Sequence, residues 1–176
     1  KELSTELVDT AFKNELINYQ EMEKVKKEYN PRKIITIFNK ILPKDLYEKT
    51  IEDSLNAKDE LLLKFPIYKK LFKMRGIYTT TNVDTYFDSY FEPSRIFKSP
   101  KECKHENIKL LSLFHLHGSI ENFNSIVFTT KDYLIHYNKR NVQDFLENIF
   151  NSDFTVLFVG YSLSELEILD YVLLKG

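Results

Sequence analysis

Three short runs in the second part of this chain have strand character along their whole length, and each stops abruptly in a polar cluster. They are residues 77–81, 110–117 and 154–159, and helical sequence lies between them. A strand with one wet face alternates apolar and polar residues. A strand covered on both faces does not, and that is the habit of a parallel sheet enclosed by helices. The pattern predicts an α/β fold, a parallel sheet flanked by helices. In such sheets ligands sit outside the carboxyl ends of the strands. The polar clusters that close the three runs are therefore the place to look for chemistry.

The first 75 residues read as helical. Leu3, Leu7, Ala11, Phe12, Leu16 and Ile17 recur at helical spacing, which predicts a helix over 3–29 with Ser4 as its N-cap and Pro31 beyond its end. Ile34, Ile35, Phe38, Ile41 and Leu42 predict a second helix over 32–42, broken by Pro43. A third follows over 44–55. A fourth starts at Pro66 and reaches Met74, with Gly76 just past it. Further on, helical spacing returns over 83–91. Residues 92–109 hold Pro93, Pro100 and several charges and read as a surface connection. Thr130 caps a helix carrying Tyr133 and Leu134, residues 141–150 form another, and a Ser164-x-x-Glu167 capping box opens the last, over 166–174. The expected organisation is a single domain over 1–176, a helical region 1–75 followed by a sheet region 76–176.

Composition excludes several classes. Lys plus Arg is 25 and Asp plus Glu 26, a net charge of −1, which gives no global pull toward nucleic acid or an anionic membrane. No apolar run approaches the roughly 20 residues of a membrane span. Cys103 is the sole cysteine, so neither an internal disulfide nor a four-cysteine zinc module is available; this fits a reducing, cytoplasmic setting. Glycine is 4 of 176, and the first is Gly76. A nucleotide-binding α/β chain normally opens with a strand and a glycine-rich loop. Its absence, with both ends falling inside helical sequence, leads to the expectation that this is a piece of a longer protein whose first strand precedes residue 1.

The three polar ends read Thr80-Thr81-Asn82-Val83-Asp84, His115-Leu116-His117-Gly118 and Gly160-Tyr161-Ser162-Leu163-Ser164. Each has a bland reading. Asn82 is a good N-cap for a helix beginning at 83, and Asp84 suits that helix's positive end. The functional alternative has both side chains holding a ribose hydroxyl or a water. His115 and His117 are two apart and share a strand face. A metal site there needs a third and usually a fourth ligand, and no ligand spacing links the pair to His105, His136 or an acid, so no metal is expected. His117, next to Gly118, is the better general base, with an ordinary pKa suited to neutral pH. Gly160-Tyr161-Ser162 is either a plain turn or an anion site at a helix N-terminus. It matches neither the Walker pattern, G-x-G-x-x-G, nor G-x-S-x-G. Cys103 has no neighbour that would activate it.

Taken in order, these segments resemble the sirtuin-like family, and most of all its branch in bacterial anti-phage defence proteins. Thr80-Thr81-Asn82-Val83-Asp84 is similar to that branch's T-T-N-Y-D, His115-Leu116-His117-Gly118 to its L-H-G segment, and Val156 to Leu163 to its last strand and G-Y-S-L turn. Val83 departs from the tyrosine of the branch. The resemblance implies a Rossmann-like fold that takes NAD+ as substrate. It implies catalytic roles for Asn82, His117 and Asp84, and dinucleotide contacts from Thr80, Thr81, Gly118, Gly160, Tyr161 and Ser162. Sirtuin deacylases carry a four-cysteine zinc module before the last Gly-x-Ser segment, and residues 118–159 here hold no cysteine. The expectation is an NAD+ glycohydrolase acting in antiviral defence, controlled by a homo-oligomer, a partner protein or a further domain. A nucleotide sensor that does not cleave is the alternative, and a protein deacylase is disfavoured.

Overall fold

A computed structural model describes residues 3–28, 30–55, 66–151, 153–161 and 166–175. The first third is a cluster of helices: α1 (Leu3–Lys13), α2 (Tyr19–Lys26), α3 (Pro31–Ile41) and α4 (Lys44–Leu55). Leu7, Val8 and Ala11 of α1 share one buried cluster with Ile34, Ile35 and Phe38 of α3 and Tyr47 and Ile51 of α4. The leucine, valine, isoleucine and phenylalanine side chains among them each contribute about 1.5–3 kcal/mol by leaving water. The spacing that predicts these helices is thus the spacing of their core face.

The single helix expected over 3–29 is two helices. Glu15 turns left-handed, with φ 57, and the backbone restarts at Asn18. The Asn18 side chain accepts from the Glu21 N–H at 3.0 Å, and the Glu21 carboxylate accepts from the Asn18 N–H at 2.9 Å. This reciprocal cap gives α2 a start of its own. Ser4 lies inside α1 and is buried, so it is no N-cap. Asn30 caps α3, and Pro31 occupies its first turn, where a missing N–H costs nothing.

After α5 (Ile67–Phe72), the chain enters a parallel sheet of order β1-β3-β2, built from β1 (Tyr78–Thr80), β2 (Ile96–Phe97) and β3 (Leu113–His115). Central β3 pairs Tyr78 with Leu113, Thr79 with Phe114 and Thr80 with His115 on one side, and Ile96 and Phe97 with Leu113 and Phe114 on the other. All three β3 residues are fully buried, so the run does not alternate apolar with polar as a one-faced strand would. On one face Phe114 stacks on Phe97, with centroids 4.8 Å apart, and meets Phe145 of α7 (Arg140–Asn151), also at 4.8 Å. The last helix, α8 (Leu166–Lys175), closes over the same face through Ile168. On the other face Leu113 meets Phe87 and Phe91, backed by Tyr68 and Phe72 of α5. The result is the expected α/β, Rossmann-like arrangement, a three-stranded parallel sheet flanked by helices.

Three sequence expectations give way. The third strand is Ile96–Phe97, inside the segment read as a surface connection, whereas residues 154–159 join no sheet among the described residues. Hydropathy measures apolarity and not pairing. No described strand lies beside 154–159, and Leu157 there is 63% exposed. Residues 83–91 form no α-helix; a single 3-10 turn, Asp88–Tyr90, supplies the Phe87–Phe91 contact that the i, i+4 spacing announced. Asn82 is therefore not a helix cap. Thr129, and not Thr130, caps α6 (Thr130–Tyr137), in a reciprocal box with Asp132. The Ser164–Glu167 box lies outside the described residues, though α8 does begin at Leu166. No described helix is long and apolar enough to cross a membrane.

At the carboxyl edge of the sheet the strands are tied by one buried carboxylate. Asp88 Oδ1 accepts from His115 Nε2 at 2.9 Å, and its other oxygen lies 3.1 Å from the Lys98 ammonium. Lys98 also pairs with Glu121. Burial alone would lower the Lys98 pKa, but the hydrogen bonds to Glu121 and Asp88 outweigh it and leave it raised. Replacing Asp88 by alanine strands a fully buried imidazole N–H. Asp88→Ala is expected to lower unfolding free energy by about 2–3 kcal/mol, since the lost bond is charged and buried. Urea denaturation followed by circular dichroism measures it; an unchanged midpoint would show that the strands do not depend on this tie.

Candidate functional site

The register of β1 against β3 decides what lies beyond the sheet edge. Thr80 is opposite His115, and the Leu116 N–H donates to the Thr80 carbonyl at 2.9 Å, so the two chains are still paired as they leave the sheet. Thr81 and Asn82 then continue from one strand, and His117 and Gly118 from its neighbour. A hydrogen bond from the His117 ring to the Thr81 backbone joins the two ends. Two of the three polar clusters predicted to form a site are thereby brought together.

The chain after β1 folds on local hydrogen bonds. The Asn82 N–H donates to Thr80 Oγ1 at 3.0 Å, and Asp84 Oδ1 accepts from the Tyr86 N–H at 3.2 Å. These side chain to backbone turns take the place of the expected helix cap. Asn82 is exposed and its side chain hydrogen-bonds Tyr68 of α5, a phenol whose ring stacks on Phe87 with centroids 4.9 Å apart. Asp84 is half-buried. Burial raises its carboxyl pKa; the Tyr86 N–H and His115 pull it down, and Asp88 pushes it up.

His117 is only 2% exposed. Its Nε2 lies 2.8 Å from the Tyr137 hydroxyl and its Nδ1 lies 3.4 Å from the Tyr133 hydroxyl, both on α6. The Tyr133 ring meets it edge-on at 4.9 Å and the His136 ring at 5.7 Å. The ordinary pKa expected of His117 from sequence does not hold: burial, helped by the positive charge of Arg32, pushes it down to about 3. His136 is likewise pushed down to about 3 by burial and by His117. At neutral pH both rings are uncharged, and His117 has a lone pair with which to accept a proton.

Gly118 adopts φ +80, and a Cβ there would overlap the Ser125 carbonyl. The loop after it folds back so that the Val127 N–H donates to the His117 carbonyl at 2.9 Å. Only glycine allows this approach directly after the histidine.

The third cluster stands differently. Gly160 has φ +65, and no described atom lies within 4 Å of where a Cβ would sit. Tyr161 stacks on Phe158 with centroids 5.8 Å apart and packs on the apolar cluster that includes Leu116 and Tyr137. Ser162 lies outside the described residues. Among the described residues no group of three or more His, Cys, Asp or Glu is placed to hold a metal ion. His115 pairs with Asp88, and Cys103 is buried, its thiol pushed up to about 12 by that burial.

Sequence reading gave no place in the site to Tyr68, Asp88, Lys98, Arg32, Tyr133 or Tyr137, and it considered His136 only as a metal ligand. For the α6 residues a signal existed: positions 133, 136 and 137 share one helical face, polar and aromatic where a core face would be aliphatic.

Two outcomes follow from this geometry. The unfolded chain protonates His117 and His136 near their ordinary value of 6.5, whereas the folded chain resists to about 3. The unfolded state then binds more protons, so stability falls as pH drops below 6.5 and levels off near 3. The slope is about 1.4 kcal/mol per pH unit for each ring. Denaturant midpoints between pH 7 and 4, beside His136→Phe, test it; the variant is expected to show a shallower slope, and an equal slope would contradict the assignment. Gly118→Ala is expected to lose at least about 1–3 kcal/mol from backbone strain before the clash is counted. Gly160→Ala, with no described atom in its way, is expected to lose about 1 kcal/mol. Thermal melts of the two variants check the order.

Comparison with known proteins adds one finding. A family model described as SIR2-like domain matches residues 76–172, more than half of the chain. No curated protein matches it.

Proposed function

The chain belongs to the SIR2-like domain family, and from that premise we propose that it is an NAD+ glycohydrolase, releasing nicotinamide and an ADP-ribose product. Family membership supports an NAD-related function. The observation that carries the finer reading is the pairing of two strand ends, which sets Thr81 and Asn82 beside His117 and Gly118 at the carboxyl edge of the sheet.

Cleaving the bond from ribose C1 to nicotinamide passes through an oxocarbenium-like state, as glycoside cleavage does. Such a reaction needs a held ribose, a placed water and few other waters. Asn82, at the exposed lip of the site, and Asp84, just behind it, are suited to the ribose hydroxyls or the water. His117, buried and neutral, accepts the proton that a ribose hydroxyl or the attacking water gives up. Nicotinamide leaves as a neutral molecule, so no strong general acid is required. Thr80, Thr81, Gly118, Gly160, Tyr161 and Ser162 would line the dinucleotide. In a cell the outcome is loss of NAD+, which suits an antiviral effector held in check by oligomerisation, a partner or another domain.

One observation favours a second reading. His117 is sealed under Tyr133 and Tyr137, as it would be in a sensor that binds NAD+ without cleaving it.

The test incubates the full-length protein with NAD+ and quantifies nicotinamide by chromatography, beside Asn82→Ala and His117→Ala. Release is expected in the wild type and a fall of at least about a hundredfold in each variant, the loss of a positioned group. Binding without release would favour the sensor, and neither binding nor release would overturn the NAD+ reading.

A further inference from the structure

We infer that Tyr137 is the positioning residue of His117, the side chain that fixes the imidazole ring and selects the nitrogen bearing its lone pair. The inference rests on the proposed reaction only for its consequence in catalysis; the contact itself belongs to the free protein.

The Tyr137 hydroxyl is 2.8 Å from His117 Nε2, a normal hydrogen bond, and both side chains are buried. The ring is also hydrogen-bonded to the Thr81 backbone, where a carbonyl can only accept and the imidazole must donate. A neutral imidazole has one N–H and one lone pair. At Nε2 the Tyr137 hydroxyl can donate to a lone pair or accept from an N–H, so this short contact weights which nitrogen carries the proton. Tyr133 is a poorer partner, with its hydroxyl 3.4 Å from Nδ1. His136 touches the ring edge-on and neither of its nitrogens has a hydrogen-bond partner among the described residues.

A phenol fits the task for a chemical reason. It donates to an Nε2 that bears the lone pair, and its oxygen accepts from an Nε2 that bears the proton. One hydroxyl therefore serves both states of the base in a pocket closed to bulk water, and phenylalanine would serve neither.

Tyr137 itself is held by the platform that carries it. The Thr130 N–H at the start of α6 donates to Thr36 Oγ1 of α3 at 2.9 Å. The Arg32 guanidinium, also on α3, lies 3.4 Å from the centre of the Tyr133 ring. Gln143 donates to the Tyr137 carbonyl at 3.1 Å and fixes the end of the helix. The helical first third of the chain thus sets the position of a side chain that orients a residue at the sheet edge.

The experiment compares the wild type with Tyr137→Phe and Tyr133→Phe in the full-length protein. Imidazole nitrogen NMR of the free protein comes first. A single His117 tautomer is expected in the wild type and in Tyr133→Phe, and a mixture in Tyr137→Phe. Turnover of NAD+ comes second. In Tyr137→Phe, kcat is expected to fall about tenfold, part of what a positioned base supplies, with KM unchanged. In Tyr133→Phe, kcat is expected to change less than about threefold, the weaker contact being the one lost. An unshifted tautomer in Tyr137→Phe overturns the inference, as does an equal loss of kcat in both variants. If the wild type shows no turnover, the glycohydrolase reading fails and the NMR still decides the role of Tyr137. If a melt shows Tyr137→Phe unfolded, Gln143→Ala replaces it. Loosening the end of α6 should then produce the same tautomer mixture, and a single tautomer there overturns the inference.

Discussion

A carboxylate buried at the rim of a sheet has to be satisfied from several directions at once, and Asp88 is satisfied by residues from each part of the rim. His115 is the last residue of β3, Lys98 follows β2, and Asp88 lies in the turn that follows β1. Glu121, beyond Lys98, brings in the loop after His117. The strands are only three, two and three residues long, so their ladders supply few hydrogen bonds to hold them in order. A buried ion pair is weak evidence of net stability, because desolvation offsets much of the attraction. Its effect here is on arrangement, since a misplaced strand would leave a charge alone in the core.

The candidate site inherits its geometry from that arrangement. With Thr80 opposite His115, the next residues of each strand emerge side by side, and His117 reaches the Thr81 backbone. Gly118 then turns left-handed where a Cβ would overlap the Ser125 carbonyl, and the loop folds back against the histidine. The aromatic and helical layers complete the enclosure. The α6 platform, braced by Arg32 and Thr36 of α3, seals His117 from one side. The stacked Tyr68 and Phe87 pair supports Asn82 from the other. Burial thus keeps the imidazole of His117 uncharged beside an amide at an exposed lip.

Much of this was legible in the residues. The β1 run showed in its β-branched and aromatic residues and the β3 run in its buried, non-alternating sequence, and the polar clusters after them marked the edge where the candidate site lies. Helices α3 and α4 followed from their apolar stripes within a residue. What could not be read was pairing. Ile96 and Phe97 form a strand of two residues between Arg95 and Lys98, too short for any periodicity. Residues 154–159 have the composition of a strand, with no described strand beside them. Asp88 sits at helical spacing in a segment that is a 3-10 turn, and its partner His115 is 27 positions away. Tyr137 is near His117 only because the loop between them folds back on Gly118. These are tertiary facts, set by which segments meet.

The central claim is that the paired ends of β1 and β3 form a site where water cleaves the bond between ribose and nicotinamide. The most direct measurement runs the reaction of the full-length protein in water enriched in heavy oxygen and weighs the ADP-ribose product by mass spectrometry. The account predicts one heavy oxygen, carried at ribose C1 of a linear product. NAD+ recovered intact, or a product formed with no oxygen from water, would contradict it.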